Sequence, residues 1–320
     1  MKRLATIALL AALAWRPAAA QDRLSFGLDW QAEAEYGGFY QAVATGIYRR
    51  HGLDVAIRQG GPQVNQAQAL LAGRLDLMLA SNSFLALNYA QEKLPLVAVA
   101  AIFQKDPSVL VAHPGQGNDS FAALKGKPIM IGAATRDGWW GFLRAKFGYS
   151  DAQIRPYAFN LAPFLADPRA VQQGYLGSEP FSIREQAHFD PVVLLLADAG
   201  FEGYGSLVVA GTRLAADKPE LVQRFLDASF EGWRDFLDGD PAPAYALIKA
   251  DNPEMTDALL AYGHAMLKQH AIVEGGGPIG GMTDARWRAF FDAVRAENGY
   301  PPDLDLSRAY TLRFLGKQQP

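Results

Sequence analysis

Cysteine is absent from all 320 residues, which excludes disulfides and thiolate metal sites and leaves stability to the buried core. The five histidines, His51, His113, His188, His264 and His270, share no metal-ligand spacing, so no metal and no cofactor are expected. Basic runs never exceed a pair, which removes the electrostatic footprint of a protein that binds nucleic acid or an anionic membrane. Neither a Walker loop nor a G-x-S-x-G elbow occurs, so the chain carries neither a nucleotide-hydrolysing loop nor a serine nucleophile elbow. The run from Gly275 to Gly280 formally matches G-x-G-x-x-G, but it follows a helical stretch and contains Pro278. That context makes it a connection, not a dinucleotide loop.

Long apolar runs are also missing. The apolar stretch at residues 4–15 has twelve residues, against roughly 20 needed to span a bilayer. It follows Lys2 and Arg3 and precedes Ala18-Ala19-Ala20, the pattern of a secretory signal cut between Ala20 and Gln21. With no Cys to carry a lipid, the mature chain is expected free in the periplasm. It would hold 27 basic against 33 acidic residues, a net charge of −6. Its length suits about two domains, each with its own core.

What remains is a succession of strand-then-helix units. Leu24, Phe26 and Leu28 alternate as in a short strand that stops at Asp29-Trp30, and Gly37-Gly38 then opens a helix ending near Gly46. Strands at 54–58, 75–80 and 96–103 alternate with helices at 62–72 and 82–91, which predicts βαβ units and a mainly parallel sheet. A second set follows, with strands at 108–113, 128–132, 173–176 and 192–197 and helices at 120–124 and 138–147. From residue 216 the pattern turns to long helices at 219–237, 242–250, 256–269 and 284–297, the last capped by Thr283. The chain is thus expected to leave a first domain near 103–106 and to return near 200–205. The predicted architecture is α/β and bilobal: 1–20 a signal peptide, 21–104 and 204–320 a discontinuous first domain, 105–203 a second, with a hinge and a ligand cleft between them.

The runs Leu28-Asp29-Trp30, Gly38-Phe39-Tyr40, Gly46-Ile47-Tyr48 and Gly52-Leu53-Asp54-Val55 resemble the opening of periplasmic binding proteins for the pyrimidine precursor of thiamine. Leu71 to Asp76, Leu124 to Lys127 and Ser178-Glu179-Pro180 continue the likeness over most of residues 24–235. The resemblance implies a type II periplasmic binding fold and an ABC importer subunit that works with a permease and an ATPase. Alkanesulfonate-, nitrate- and riboflavin-binding subunits share it, as does a fungal thiamine-pyrimidine synthase that uses an active-site His and an iron-binding Cys cluster. Here Tyr36 stands where the synthase-like pattern, and many of the binding proteins too, have His, and no Cys exists, so no enzyme activity is expected. The stretch Gln31-Ala32-Glu33-Ala34-Glu35 replaces a Pro- and Asn-rich loop of that family.

Candidate ligand contacts follow from position and chemistry. Trp30 and Tyr36 would hold the two faces of a flat ring, with Gly38 at the helix entrance and one of Trp139 and Trp140 reaching in from the second domain. Ser81 and Asn82, at a strand end, would orient the ligand, and Glu179 would accept from an exocyclic amino group and a protonated ring nitrogen. Tyr204 lies at the return crossing. The expected occupant is a small heteroaromatic nutrient, best a thiamine pyrimidine precursor. Riboflavin, another aromatic or sulfonate ligand, or a sensing role stand as alternatives, in a protein expected to be monomeric and without nucleic-acid partners.

Overall fold

The computed structural model describes residues 21–316 except 137 and 276, so the expected signal peptide lies outside the described residues. The first sheet contains β1 (Asp22–Gly27), β2 (Leu53–Arg58), β3 (Leu77–Asn82), β4 (Leu96–Phe103) and β10 (Gly205–Gly211), in the order β2-β1-β3-β10-β4. The second contains β5 (Ser108–Ala112), β6 (Ile129–Ile131), β7 (Ile154–Pro156), β8 (Val171–Tyr175) and β9 (Val192–Leu195), in the order β7-β6-β8-β5-β9. Leu24, Phe26 and Leu28 are buried as their alternation predicts, and every residue of the apolar run in β4 is buried.

Both sheets are mixed, which corrects the expectation of a mainly parallel arrangement. β1 runs parallel to β2 and β3, but β10 is antiparallel to β3 and β4; β6 runs parallel to β7 and β8, but β5 is antiparallel to β8 and β9. A helical crossover enforces parallel pairing only between the strands that it joins. β5 and β10 enter their sheets directly from the other sheet, so nothing fixes that direction for them.

The chain crosses between the sheets at 104–107 and at 196–204. One side chain ties the two crossings together. The Arg286 guanidinium donates to the carbonyls of Gln104 (2.5 Å), Glu202 (2.8 Å) and Gly203 (3.3 Å) and lies 4.0 Å from the centre of the Tyr204 ring.

Helices pack against these sheets and against one another. α1 (Gly37–Ala44) packs along α5 (Pro219–Asp238), the crossing made close by glycine. A Cβ on Gly38 would sit 2.2 Å from Cγ of the wholly buried Trp233, and one on Gly232 would sit 2.4 Å from the Gly38 carbonyl oxygen. Between them in the chain lie α2 (Ser83–Gln91), α3 (Trp140–Phe147) and α4 (Glu179–Ala187); beyond α5 follow α6 (Ala242–Asp251), α7 (Asp257–Gln269) and α8 (Asp284–Asn298). Thr256 and Thr283 cap α7 and α8 by accepting from the amides of Leu259 and Arg286. Among the described residues no helix is long and apolar enough to cross a membrane.

Candidate ligand cleft

The first wall forms where β1 runs out. Leu28 still donates its amide to the Arg58 carbonyl (2.8 Å), but the next residues turn away from the sheet into a 3-10 turn, Ala34–Tyr36, that feeds α1. Asp29 is fixed from two sides: its Oδ2 accepts from Ser81 Oγ at 2.5 Å and its Oδ1 from the Tyr36 hydroxyl at 3.1 Å. Ala32 and Ala34 are buried, which anchors the strip and holds Glu33 and Glu35 at the boundary between the sheets.

The opposite wall comes from the second sheet. β8 ends at Tyr175, and Glu179 is the first residue of α4. Its Oε2 accepts from the Tyr175 amide at 2.7 Å and its Oε1 from the Tyr157 hydroxyl at 3.3 Å. Beyond β7 the ring of Phe159 meets that of Trp30 with centroids 5.0 Å apart and planes tilted by 42°. Phe159 adopts φ +53° and remains 52% exposed. A left-handed backbone is unfavourable for a bulky side chain, so the loop holds this exposed ring at a local cost.

Glu35 is 3% exposed, and its Oε1 has no hydrogen-bond partner. It packs against Gly177, where a Cβ would come within 2.2 Å of Oε1. The crevice between Glu33, Glu35, Gly177, Ser178 and Leu260 has no room for a water molecule. In the crossing segment Asp106 is 1% exposed; it accepts from the Ser108 amide, while its Oδ2 has no partner.

These carboxylates act on one another. Burial pushes the Glu35 carboxyl up to about 7, opposed by its own backbone amide and reinforced by Glu179. Glu33 is held well above the usual carboxylate range by burial and then by Glu35, Glu179 and Asp29. Asp29 and Glu179 are raised chiefly by burial, and Asp106 is pushed up to about 6 by burial against its bonds from Ser108. The Tyr175 hydroxyl is raised by burial and then by Asp106, Asp29, Glu35 and Glu33, which locates it near acids of the first wall and of the 104–107 crossing. Among the described residues no Lys or Arg forms an ion pair with any of the five acids. No group of three or more His, Asp or Glu among them is disposed to hold a metal ion.

Of the residues expected at the site, Trp30, Tyr36, Ser81 and Glu179 lie in or directly on this assembly. Asn82 caps α2 by accepting from the Phe84 amide (3.1 Å). Gly38 is elsewhere, in the α1–α5 crossing. Trp140 is buried, its indole donating to Asp151 at 3.0 Å and its ring tilted against Tyr149; Trp139 is buried beside it. Neither indole makes a ring contact or hydrogen bond with the groups around Trp30. Tyr204 belongs to the crossing: its ring lies beneath Arg286 and its hydroxyl accepts from the Thr283 amide (3.0 Å). The residues that sequence reasoning missed are Asp29, Glu33, Glu35, Asp106, Tyr157, Phe159 and Tyr175. The available signal was Ala32-Glu33-Ala34-Glu35, acids alternating with small apolar residues just ahead of a buried helix.

The family model described as NMT1/THI5 like matches residues 33–244. The riboflavin-binding protein RibY of Chloroflexus aurantiacus is 24% identical over 312 residues, covering 92% of this chain and 86% of RibY. Among solved structures, the periplasmic aliphatic sulphonate binding protein SsuA from Escherichia coli superposes with a TM-score of 0.68 at 14% identity, covering 90% of this chain and 91% of SsuA. The desulfurization enzyme DSZB superposes with a TM-score of 0.58 at 12% identity, covering 93% and 98%. At such identities the likeness to SsuA and DSZB establishes the fold, that of the periplasmic binding proteins, and not the chemistry.

Proposed function

The chain belongs to the NMT1/THI5-like family, and from that premise we propose that it is the solute-binding subunit of an ABC importer. In this reading its ligand is a small flat heterocycle, a thiamine pyrimidine precursor. In this reading residues 1–20 are removed on export, and the mature protein works in the periplasm with a permease and an ATPase. Residues 21–104 and 204–320 form one body and 105–203 the other, closing about the two crossings. The protein captures and does not catalyse. At 12% identity the fold of DSZB carries no reaction over to this chain.

One observation carries the choice of ligand: among the described residues the carboxylates of the cleft form no ion pair with a Lys or Arg. Such a surface accepts hydrogen bonds from N–H groups and opposes sulfonates and nitrate. An aminopyrimidine offers an amino donor beside a ring nitrogen that can hold a proton, and each Glu179 oxygen, already accepting from Tyr175 or Tyr157, has a second lone pair for one of them. Riboflavin, the ligand in RibY's name, presents a carbonyl-rich edge that carboxylates repel.

Glu179→Gln keeps the shape and removes the charge. The variant is expected to bind 4-aminopyrimidines about 10- to 100-fold more weakly, since a hydrogen bond to a charged acceptor contributes about 1.5–3 kcal/mol. Riboflavin binding should be unchanged or improved. Because Glu179 also accepts from the Tyr175 amide, a role the Gln carbonyl can take over, melting of the empty protein should shift by no more than about 1 kcal/mol. Calorimetric titration of both proteins with both compounds checks this, and unchanged aminopyrimidine affinity in the variant would remove the main reason for preferring a pyrimidine.

A further inference from the structure

We infer that Phe159 is a built-in competitor for the ligand: its ring occupies the face of Trp30 on which the solute's ring is to stack, and the solute binds by displacing it. The inference rests on the reading of this cleft as the binding site of a flat heterocycle, and it makes Phe159 the residue that decides which rings are admitted.

The two rings are held very differently. Trp30 is half-buried and packs against the core. Its carbonyl accepts from the Gly60 amide at 2.9 Å, and the amide and carbonyl of Ala32, two residues on, are taken by Gln59 (2.7 Å) and Asn252 (2.9 Å). Phe159 has no such support. Among the described residues its backbone makes no hydrogen bond, its φ is +53°, and the residue stays 52% exposed. Its ring lies against Trp30 and Tyr157, with centroids 5.0 and 5.1 Å away, and its Cζ would be 3.6 Å from a Cβ on Gly132. A bulky side chain in the left-handed region, exposed as well, is unfavourable on both counts, and the aromatic contacts offset that cost.

No solute ring fits beside the contact. A ring lying between Trp30 and Phe159 needs about 7 Å, two carbon contacts of about 3.5 Å, and the centroids are 5.0 Å apart. Nor are the bodies spread at this closure: a Cβ on Gly177 would lie 2.2 Å from Glu35 Oε1 and 3.3 Å from Cα of Gly263, and the crevice there has no room for a water molecule. The part that can yield is Phe159. Its ring has only to swing off the indole, and an incoming ring then replaces one aromatic contact with another. This sets a threshold, because a solute without a π-face has no stacking to put in place of the contact it breaks. Apparent affinity is reduced by the fraction of molecules in which Phe159 covers Trp30.

The test is calorimetry of 4-aminopyrimidine and of riboflavin on wild type, Phe159→Ala, Trp30→Ala and the double variant. The compound that binds should do so about tenfold more tightly to Phe159→Ala, the size expected for removing one competing aromatic pair. That gain should vanish when Trp30→Ala is also present. A fluorine label on the Phe159 ring should move to the resonance of a solvated phenyl as the compound saturates wild type. Weaker binding to Phe159→Ala would overturn the inference by making Phe159 a wall that the solute uses. A gain that persists without Trp30 would overturn it too, since the two rings would not then be competing for one indole face. Equal binding of 4-aminopyrimidine to wild type and Phe159→Ala would sink the inference and leave the pyrimidine reading standing, whereas a tenfold gain seen with riboflavin alone would sustain the inference and end the pyrimidine reading. Binding of neither compound to any of the four proteins would end both.

Discussion

Glu35→Gln should stabilise the empty protein at pH 8 by about 2–3 kcal/mol, a large effect for a substitution that conserves shape. The Glu35 carboxyl is carried from 4.5 to about 7 by folding, mainly through burial, which corresponds to about 3 kcal/mol between the two protonation states. Between those pH values the folded protein keeps a proton that the unfolded chain has lost. Its stability therefore declines as pH rises from about 4.5 to 7 and stays low above that. The Asp106 carboxyl, pushed up to about 6, adds a decline over a narrower window. Gln cannot ionise, so the variant should lose the Glu35 part of the slope and cross above wild type as pH rises. Urea unfolding at half-unit steps from pH 4.5 to 8.5 measures this. Parallel curves for the two proteins would mean that Glu35 is already neutralised by an unseen partner.

Trp30→Ala should weaken binding of an aminopyrimidine by about 30-fold or more. A half-exposed indole facing Phe159 across the cleft is the type of aromatic anchor whose truncation costs at least about 2 kcal/mol. Trp233→Ala is the control with the opposite signature. Trp233 is wholly buried against Phe39, Phe103 and Phe236, and its loss should cost about 3–5 kcal/mol of stability while the remaining folded protein binds normally. Melting and titration of both variants separate the roles. An unfolded Trp30→Ala with intact residual affinity would move Trp30 into the core.

The first strand and helix, the buried run at 96–103 and the long C-terminal helices were legible because hydrophobic period and caps are local signals. Strand direction was not. β10 carries the same apolar alphabet as the parallel strands beside it, and only its arrival from the other sheet makes it antiparallel to both. Gly38 and Tyr204 show the same limit at the level of single residues. Gly37-Gly38 looks like the open end of a ligand-holding helix, yet the missing side chains admit Phe236 and Trp233 of a helix nearly two hundred residues away. Tyr204 sits among crossover glycines, and the partner that claims it, Arg286, is far along the chain. The acidic cluster was hardest to see because its members come from positions 29, 33, 35, 106 and 179, and only the closing of two sheets on each other makes one site of them.

The absence of native cysteine permits the most direct test of capture between two lobes. A cysteine placed at Gln31 and another at Ala158, both exposed and each next to one of the touching rings Trp30 and Phe159, can carry a pair of spin labels with no competing thiol. With saturating aminopyrimidine the label distances should collapse to one short, narrow population, and without it a longer and broader population should appear. Identical distance distributions with and without a ligand shown by calorimetry to be bound would contradict closure of the cleft around its solute.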